Sequence, residues 1–154
     1  MATLGRKSYW TLTCLYGVLL TAGSLLPSGP DAPGGWDQSI TPSLQNAMHA
    51  PAYAVLVILL VLAIKPPGRP AGPGLTLLAG AGCCAYGALL EYIQTIVPGR
   101  TGSASDALLN LAGVAAGLGL IIAVRLMRRQ GRAPDASQSA PLPDEPAEGG
   151  KLSV

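Results

Sequence analysis

Charged residues are scarce in this sequence, at 12% of 154 residues, and phenylalanine is absent. A soluble domain usually carries about 25% charged residues, so the chain lacks the material for a water-exposed surface. The net charge is only +2 and no basic patch is interleaved with aromatic residues, so no nucleic-acid partner is expected. The three cysteines all lie in apolar segments and are odd in number, which argues against a disulfide framework.

Hydrophobic residues, 49% of the chain, are concentrated in four segments. Each is close to the length that crosses a bilayer as a helix, about 20 residues. The segments run from Ser8 to Leu26, Ala47 to Ile64, Leu75 to Val97 and Asp106 to Met127. Stretches rich in proline and glycine separate them, and hydrocarbon admits only helices or closed barrels. The sequence therefore predicts an all-α membrane protein in which residues 1–129 form a four-transmembrane-helix bundle.

Lysine and arginine flank these segments on one side only, apart from Arg100 in the third connection. Eight others precede the first helix, lie in the second connection or follow the fourth helix: Arg6, Lys7, Lys65, Arg69, Arg125, Arg128, Arg129 and Arg132. The positive-inside rule then places both termini in the cytoplasm. A cleaved signal peptide is an alternative for the first segment, although its apolar run is longer than a usual signal core. Residues 130–154, rich in proline, serine and acid, are predicted to form a disordered cytoplasmic tail.

Polar chemistry is concentrated in the stretch EYIQTIVPGRTGSASDALLN, residues 91–110, between the last two apolar segments. Glu91 and Gln94 are three residues apart, and Asp106 and Asn110 are four apart, so each pair is expected to share a helix face. The short turn between the two segments would make their helices antiparallel neighbours. A carboxylate in hydrocarbon is costly, so Glu91 is expected to have a function unless a neighbouring helix holds it by a hydrogen bond.

The only histidine, His49, begins the second predicted helix at the same outer end, and Tyr53 follows one turn deeper. Either residue could instead be ordinary interfacial material, Tyr53 as part of an aromatic belt. The predicted ligand-binding site lies just inside the outer leaflet and comprises His49, Tyr53, Glu91, Gln94, Arg100, Asp106 and Asn110. His49, Glu91 and Asp106 have hard-ligand chemistry but no recognisable metal-site spacing, so neither a metal nor a cofactor is predicted.

Several of these residues also have a structural explanation. Ser103 to Asp106 has the pattern of a capping box, with Ser103 as N-cap and the acid reaching back to it. Gln94 and Asn110 could simply join helices by hydrogen bonds. Arg100 could anchor the chain at the interface, but its planar guanidinium also suits a phosphate or carboxylate.

The run E-x-x-Q-x-x-x-P-G-R followed by D-x-x-x-N-x-x-G resembles the signature of VanZ-like membrane proteins. It is matched by Glu91, Gln94, Pro98, Gly99, Arg100, Asp106, Asn110 and Gly113. SLLP at residues 24–27 and H-x-x-x-Y at residues 49–53 are weaker matches, and Gln45, Asn46 and Ala50 depart from an Asp-Lys pair and a Phe that family members often carry. The resemblance covers about residues 8–127. It implies a small multi-pass protein of the bacterial cytoplasmic membrane and cell envelope, with a named relative linked to teicoplanin resistance, and it supplies no reaction.

Glycines on the last helix form a GxxxG step, Gly113 and Gly117, which favours close helix packing. The same step is a possible homo-oligomer interface.

Three functions fit these observations. The protein could bind the head group of an anionic lipid or a lipid-linked cell-wall precursor, with Arg100 on the phosphate. It could be an enzyme acting on such a lipid, with Glu91 or His49 as general base. It could also be a structural subunit of a membrane complex. No nucleophile and base stand at a motif spacing, and the cation at the rim favours a binder, so binding is the prediction.

Overall fold

The computed structural model describes residues 5–26, 42–97 and 102–131, with only the backbone described at 42–45. Every regular element in these residues is a helix, which confirms the all-α prediction: α1 (Arg6–Leu25), α2 (Pro42–Ile64), α3 (Pro73–Gln94) and α4 (Ala104–Gln130). The predicted connections containing Arg100 and residues 27–41, and the predicted tail from residue 132, lie outside the described part of the chain.

Three of the four helices are long and apolar enough to cross a membrane, over Asn46–Ile64, Pro73–Gln94 and Ala104–Gln130. Helix α1 has 20 residues but is less apolar, because hydroxyl-bearing side chains such as Thr11, Thr13 and Thr21 interrupt its apolar run. The structure therefore supports a membrane protein, with three described helices that have the length and composition of membrane spans. The number of spans remains a prediction.

The helices alternate in direction along the bundle. Near one end of α3, Glu91 contacts Asn110 in the first turns of α4, and near its other end Thr76 accepts a hydrogen bond from Arg125 at 3.1 Å. Helices α3 and α4 are thus antiparallel, as the short turn between them predicts. Helices α2 and α3 lie between α1 and α4, and no Cα atoms of α1 and α4 come within 8 Å of one another in the described part of the chain.

The closest packing joins α2 to α4 through the predicted GxxxG step. A methyl group at Gly113 would overlap the carbonyl of Ala50, and one at Gly117 would lie 2.5 Å from Val57 Cγ1 and 2.8 Å from the carbonyl oxygen of Ala54. Both glycines are buried. This step is therefore occupied by α2 of the same chain, and a second copy would have to use another surface.

All four helices differ in extent from their predicted bounds, and the differences in α2 and α3 fall near the predicted site. Helix α2 begins at Pro42, five residues before the predicted start at Ala47, so His49 lies in the second turn and Pro51 inside the helix. Helix α3 ends at Gln94 and passes into turns before the predicted end at Val97. Apolar composition marks the part of a helix that lipid covers, whereas the helix itself can extend beyond it.

Hydrogen bonds attach α1 to its neighbours. The Tyr86 hydroxyl on α3 donates to the Gly17 carbonyl at 2.8 Å and lies 2.6 Å from Thr21 Oγ1. The Tyr16 hydroxyl donates to the Ala52 carbonyl on α2 at 3.2 Å. In a membrane, where apolar contact with lipid competes with apolar contact between helices, such polar contacts help to hold a helix in place. Polar side chains that make α1 less apolar, such as Thr21, thus also attach it to the neighbouring helices.

Candidate functional site

Four of the predicted site residues meet where α3 ends and α4 begins. We call His49, Glu91, Asp106 and Asn110 the polar cluster. Glu91 lies at its centre: Asn110 Nδ2 donates to Glu91 Oε1 at 3.3 Å, and His49 Nε2 lies 4.0 Å from the same oxygen. Three side-chain atoms that could bind a metal ion lie within 4.8 Å of one another, one each from His49, Glu91 and Asp106. The convergence of three helices that the sequence predicts is therefore present for these four residues.

The polar cluster is largely enclosed by protein. Glu91 is 8% exposed, Asp106 9% and Asn110 3%, whereas the side chain of His49 retains 22% of its surface. Burying carboxylates is costly unless hydrogen bonds and favourable dipoles compensate. The N-terminus of α4 supplies both, because its backbone N–H groups point toward the cluster end and carry partial positive charge. His49 marks the more open side of the cluster.

Two residues that were not predicted as part of the site, Gly102 and Ser103, shape it. The Ser103 backbone N–H donates to Glu91 Oε2 at 3.2 Å. This contact requires the chain to cross close over α3, and a methyl group at Gly102 would lie 2.5 Å from the Glu91 carbonyl oxygen and 2.7 Å from Thr95 Cγ2. A side chain at position 102 would therefore displace the segment that brings the Ser103 N–H to the carboxylate.

The capping pattern at the start of α4 is confirmed in part. Ser103 is the N-cap, and its hydroxyl accepts a hydrogen bond from the Ser105 backbone N–H. In a capping box the acid three residues on would contact the N-cap N–H. Here Glu91, from the neighbouring helix, accepts from that N–H, and Asp106 lies beside His49 and Glu91 in the polar cluster. A tertiary contact therefore supplies an acceptor for the N-cap N–H.

Asn110 has one buried atom without a partner. Its Oδ1 makes no hydrogen bond in the described structure, although its Nδ2 donates to Glu91. A buried polar atom left unsatisfied costs about 1–3 kcal/mol, and such atoms are uncommon in folded proteins. An amide that served only to join helices would be expected to use its acceptor as well as its donor.

Gln94 lies elsewhere than the sequence suggests. Its Nε2 donates to the Ser24 carbonyl at the end of α1, at 2.9 Å. Glu91 and Gln94 are both buried and three residues apart, as a shared helix face predicts, yet their side chains contact different helices. Gln94 joins α3 to α1, the structural alternative for this residue.

Tyr53 forms the floor beneath the polar cluster. It is 3% exposed, which places it in the protein core and not in an aromatic belt. Its ring fills the space above Gly87, where an added methyl group would lie 2.9 Å from Tyr53 Cε1. Gly87 is one helical turn before Glu91, so Tyr53 lies one turn deeper than the carboxylate. Arg100, the remaining predicted site residue, is outside the described residues.

The sequence of the chain matches a known family. A family model described as VanZ/LLP1 covers residues 8–126. The chain belongs to the VanZ/LLP1 family. No curated protein and no solved structure matches it. The family match confirms the resemblance carried by the Glu91 to Gly113 signature, and four of the residues in that signature or in its His49 extension form the polar cluster.

Proposed function

We propose that this VanZ/LLP1 protein binds the polar head group of an anionic lipid or a lipid-linked cell-wall precursor in the polar cluster. The observation that carries the proposal is the buried Asn110 Oδ1, which has no partner in the described residues although Nδ2 of the same amide donates to the buried Glu91. Polar groups are expensive at membrane depth, so a cluster of them with unused hydrogen-bonding capacity favours a ligand. Head-group hydroxyl and amide groups could use that capacity.

The proposed location is the outer leaflet of a bacterial cytoplasmic membrane. All lysines and arginines of the described residues lie toward the end opposite the polar cluster, and the positive-inside rule would place that end in the cytoplasm. A reporter fused at the carboxy terminus should then report the cytoplasm, and one inserted at Gly34 the outer side. An external carboxy terminus would place the polar cluster on the inner leaflet and contradict an outer-leaflet ligand.

We also assign Arg100 to the proposed site, on the basis of its position in the sequence. It follows α3 and precedes α4, so the chain keeps it within a few residues of Ser103, and its guanidinium suits a phosphate. Arg100→Lys keeps the charge but loses the two-pronged contact. It should weaken binding of a phosphate-bearing lipid and leave binding of a neutral glycolipid unchanged. A link between such binding and teicoplanin resistance follows from the family resemblance and is part of the proposal.

An enzyme acting on a lipid-linked substrate is the second candidate, because His49 Nε2 and Glu91 Oε1 are 4.0 Å apart, close enough to cooperate in proton transfer. Glu91, however, already accepts hydrogen bonds on both oxygens, from Ser103 and Asn110. That geometry favours a fixed binding group over a mobile base. Release of a cleaved or transferred head group during incubation with the purified protein would favour the enzyme.

The test uses the full chain in nanodiscs, with phosphatidylglycerol and a polyprenyl phosphate as probes. Bound lipid is counted by native mass spectrometry, and thermal stability is measured on the same samples. Glu91→Gln, which preserves shape, should lower lipid retention at least tenfold while the unfolding temperature changes little. Gln94→Ala is the matched control, since it removes a buried polar contact of the same helix outside the cluster. Equal lipid retention in wild type and Glu91→Gln would refute the proposal.

A further inference from the structure

The polar cluster brings one imidazole and two carboxylates together from three helices. A ligand atom from each of His49, Glu91 and Asp106 lies within 4.8 Å of the other two. Ligand atoms around one Zn²⁺, bound at about 2.0–2.2 Å, are roughly 3.5 Å apart, so side-chain movements of about 1 Å would close the set around an ion. We infer that the polar cluster is a binding site for a divalent cation.

The amide of Asn110 contacts the same carboxylate and has an oxygen without a partner. Its amide nitrogen donates to Glu91 Oε1 at 3.3 Å, so the amide group lies against the central carboxylate. The residue is 3% exposed, and its Oδ1 has no hydrogen-bond partner in the described structure. A side-chain carbonyl oxygen is a common ligand of hard cations. A cation held by the carboxylates would give this oxygen the partner it lacks.

Along α2 and α4, the described lysines and arginines lie far from the polar cluster. The nearest lysine or arginine on α2 among the described residues is Lys65, 16 residues after His49, and on α4 it is Arg125, 19 residues after Asp106. At 1.5 Å per residue these cations are roughly 24 Å or more from the cluster along the helix axis. Two carboxylates buried next to each other repel, and a bound divalent ion removes that repulsion.

The donor set indicates which ions fit. Nitrogen from His49 and oxygen from Glu91 and Asp106 suit Zn²⁺, Mn²⁺ or Fe²⁺, whereas Mg²⁺ and Ca²⁺ prefer oxygen alone. The partly exposed imidazole leaves a path for the ion from the open side of the cluster. The ligands are 42 and 15 residues apart along the chain, from 49 to 91 and from 91 to 106. No short-range spacing could reveal them, which is why the sequence predicts no metal site.

The cation would also explain how an acidic cluster accepts an anionic head group. A phosphate approaching Glu91 and Asp106 directly would be repelled, whereas a divalent ion between them attracts it. This bridging role rests on the proposed function. Cation binding itself does not, since it requires only the residues of the polar cluster.

The single histidine allows a site-specific test. The full-length protein, purified with a tag that contains no histidine, is stripped with a chelator and titrated with ZnCl₂ and MnCl₂ alone by calorimetry. Imidazole resonances of His49 are followed by nuclear magnetic resonance. We expect one ion per chain, a Zn²⁺-dependent shift of the His49 signals and their broadening by Mn²⁺. An unchanged His49 spectrum at saturating Zn²⁺ and Mn²⁺ would overturn the inference.

Two substitutions and one control sharpen the result. His49→Gln and Asp106→Asn each remove a ligand without a large change in volume, and each should weaken Zn²⁺ binding at least tenfold. Gln94→Ala, outside the cluster, should bind Zn²⁺ with wild-type affinity. Unaltered affinity in both ligand variants would overturn the site. Chelated protein that still binds phosphatidylglycerol as tightly as metal-loaded protein would overturn only the bridging role, and metal binding without lipid retention would refute only the proposed function.

Discussion

The two ends of the helical bundle handle charge in opposite ways. All seven lysines and arginines of the described residues lie toward the end where α1 begins and α4 ends: Arg6, Lys7, Lys65, Arg69, Arg125, Arg128 and Arg129. Both described acids, Glu91 and Asp106, lie toward the other end and are buried. The basic end keeps most of its charges in water, whereas the polar cluster holds its charges inside protein. Solvated charges orient a membrane protein, and enclosed charges require specific partners.

Close packing between α2 and α4 holds the polar cluster together. Disturbing this packing should lower the stability of the protein more than any other change described below. Gly113→Ala places a methyl group against the Ala50 carbonyl next to His49, so α2 must move away from the polar cluster. Overpacking of this kind costs typically about 1–3 kcal/mol, and the backbone contact places this site at the upper end.

Gly119→Ala is the control, because an added methyl group there meets nothing within 4 Å. Thermal unfolding in detergent should show a large drop for position 113 and little change for position 119. Equal unfolding temperatures would show that the close α2–α4 contact is not needed for stability.

Removing the central carboxylate should have the next largest effect. Glu91→Ala leaves the partly buried Ser103 N–H and the buried Asn110 amide without their acceptor, and one buried donor left unsatisfied costs about 1–3 kcal/mol. Glu91→Gln retains an acceptor oxygen and should lose less. Denaturation in mixed micelles measures both. A stability gain in Glu91→Ala would mean that repulsion among the acids outweighs their hydrogen bonds.

Added metal ion should stabilise the protein against unfolding only when the polar cluster is intact. If the polar cluster binds a cation, then saturating it at 100 times its dissociation constant stabilises the fold by about 2.7 kcal/mol. Thermal unfolding of chelated protein with and without added ZnCl₂ measures the gain, which should vanish in His49→Gln. A gain of the same size in His49→Gln would place the stabilising ion elsewhere.

The basic end should respond least to substitution. Arg125 Nη2 donates to Thr76 Oγ1 at 3.1 Å, and the Thr76 hydroxyl donates to the Gly72 carbonyl. Arg125 is half-buried, so the loss of this contact in Arg125→Ala should cost about 1 kcal/mol or less. Urea denaturation should give Arg125→Ala a clearly higher free energy of unfolding than Glu91→Ala. A cost as large as that of Glu91→Ala would erase the difference between the two ends.

Much of the fold follows from local features of the sequence. Apolar runs separated by proline and glycine predict four helices, and lysine and arginine predict which ends share a side. The helix bounds were less predictable, since α2 begins at Pro42 and not at Ala47. The site could be predicted as a set of residues, because polar side chains near membrane depth are conspicuous. Gly102 escaped prediction because its role depends on the Glu91 carbonyl of another helix.

The sequence by itself determined that lipid is the solvent, that the elements are helices, and which polar side chains stand near the ends of α3 and α4. Only the tertiary structure decided that Glu91 contacts Asn110 and Ser103, while Gln94, three residues later, contacts α1. The physical reason is that hydropathy and helical periodicity are local properties, whereas partners depend on how closely helices approach. Gly113 and Gly117 set that approach for α2 and α4, and so bring His49 to the carboxylates.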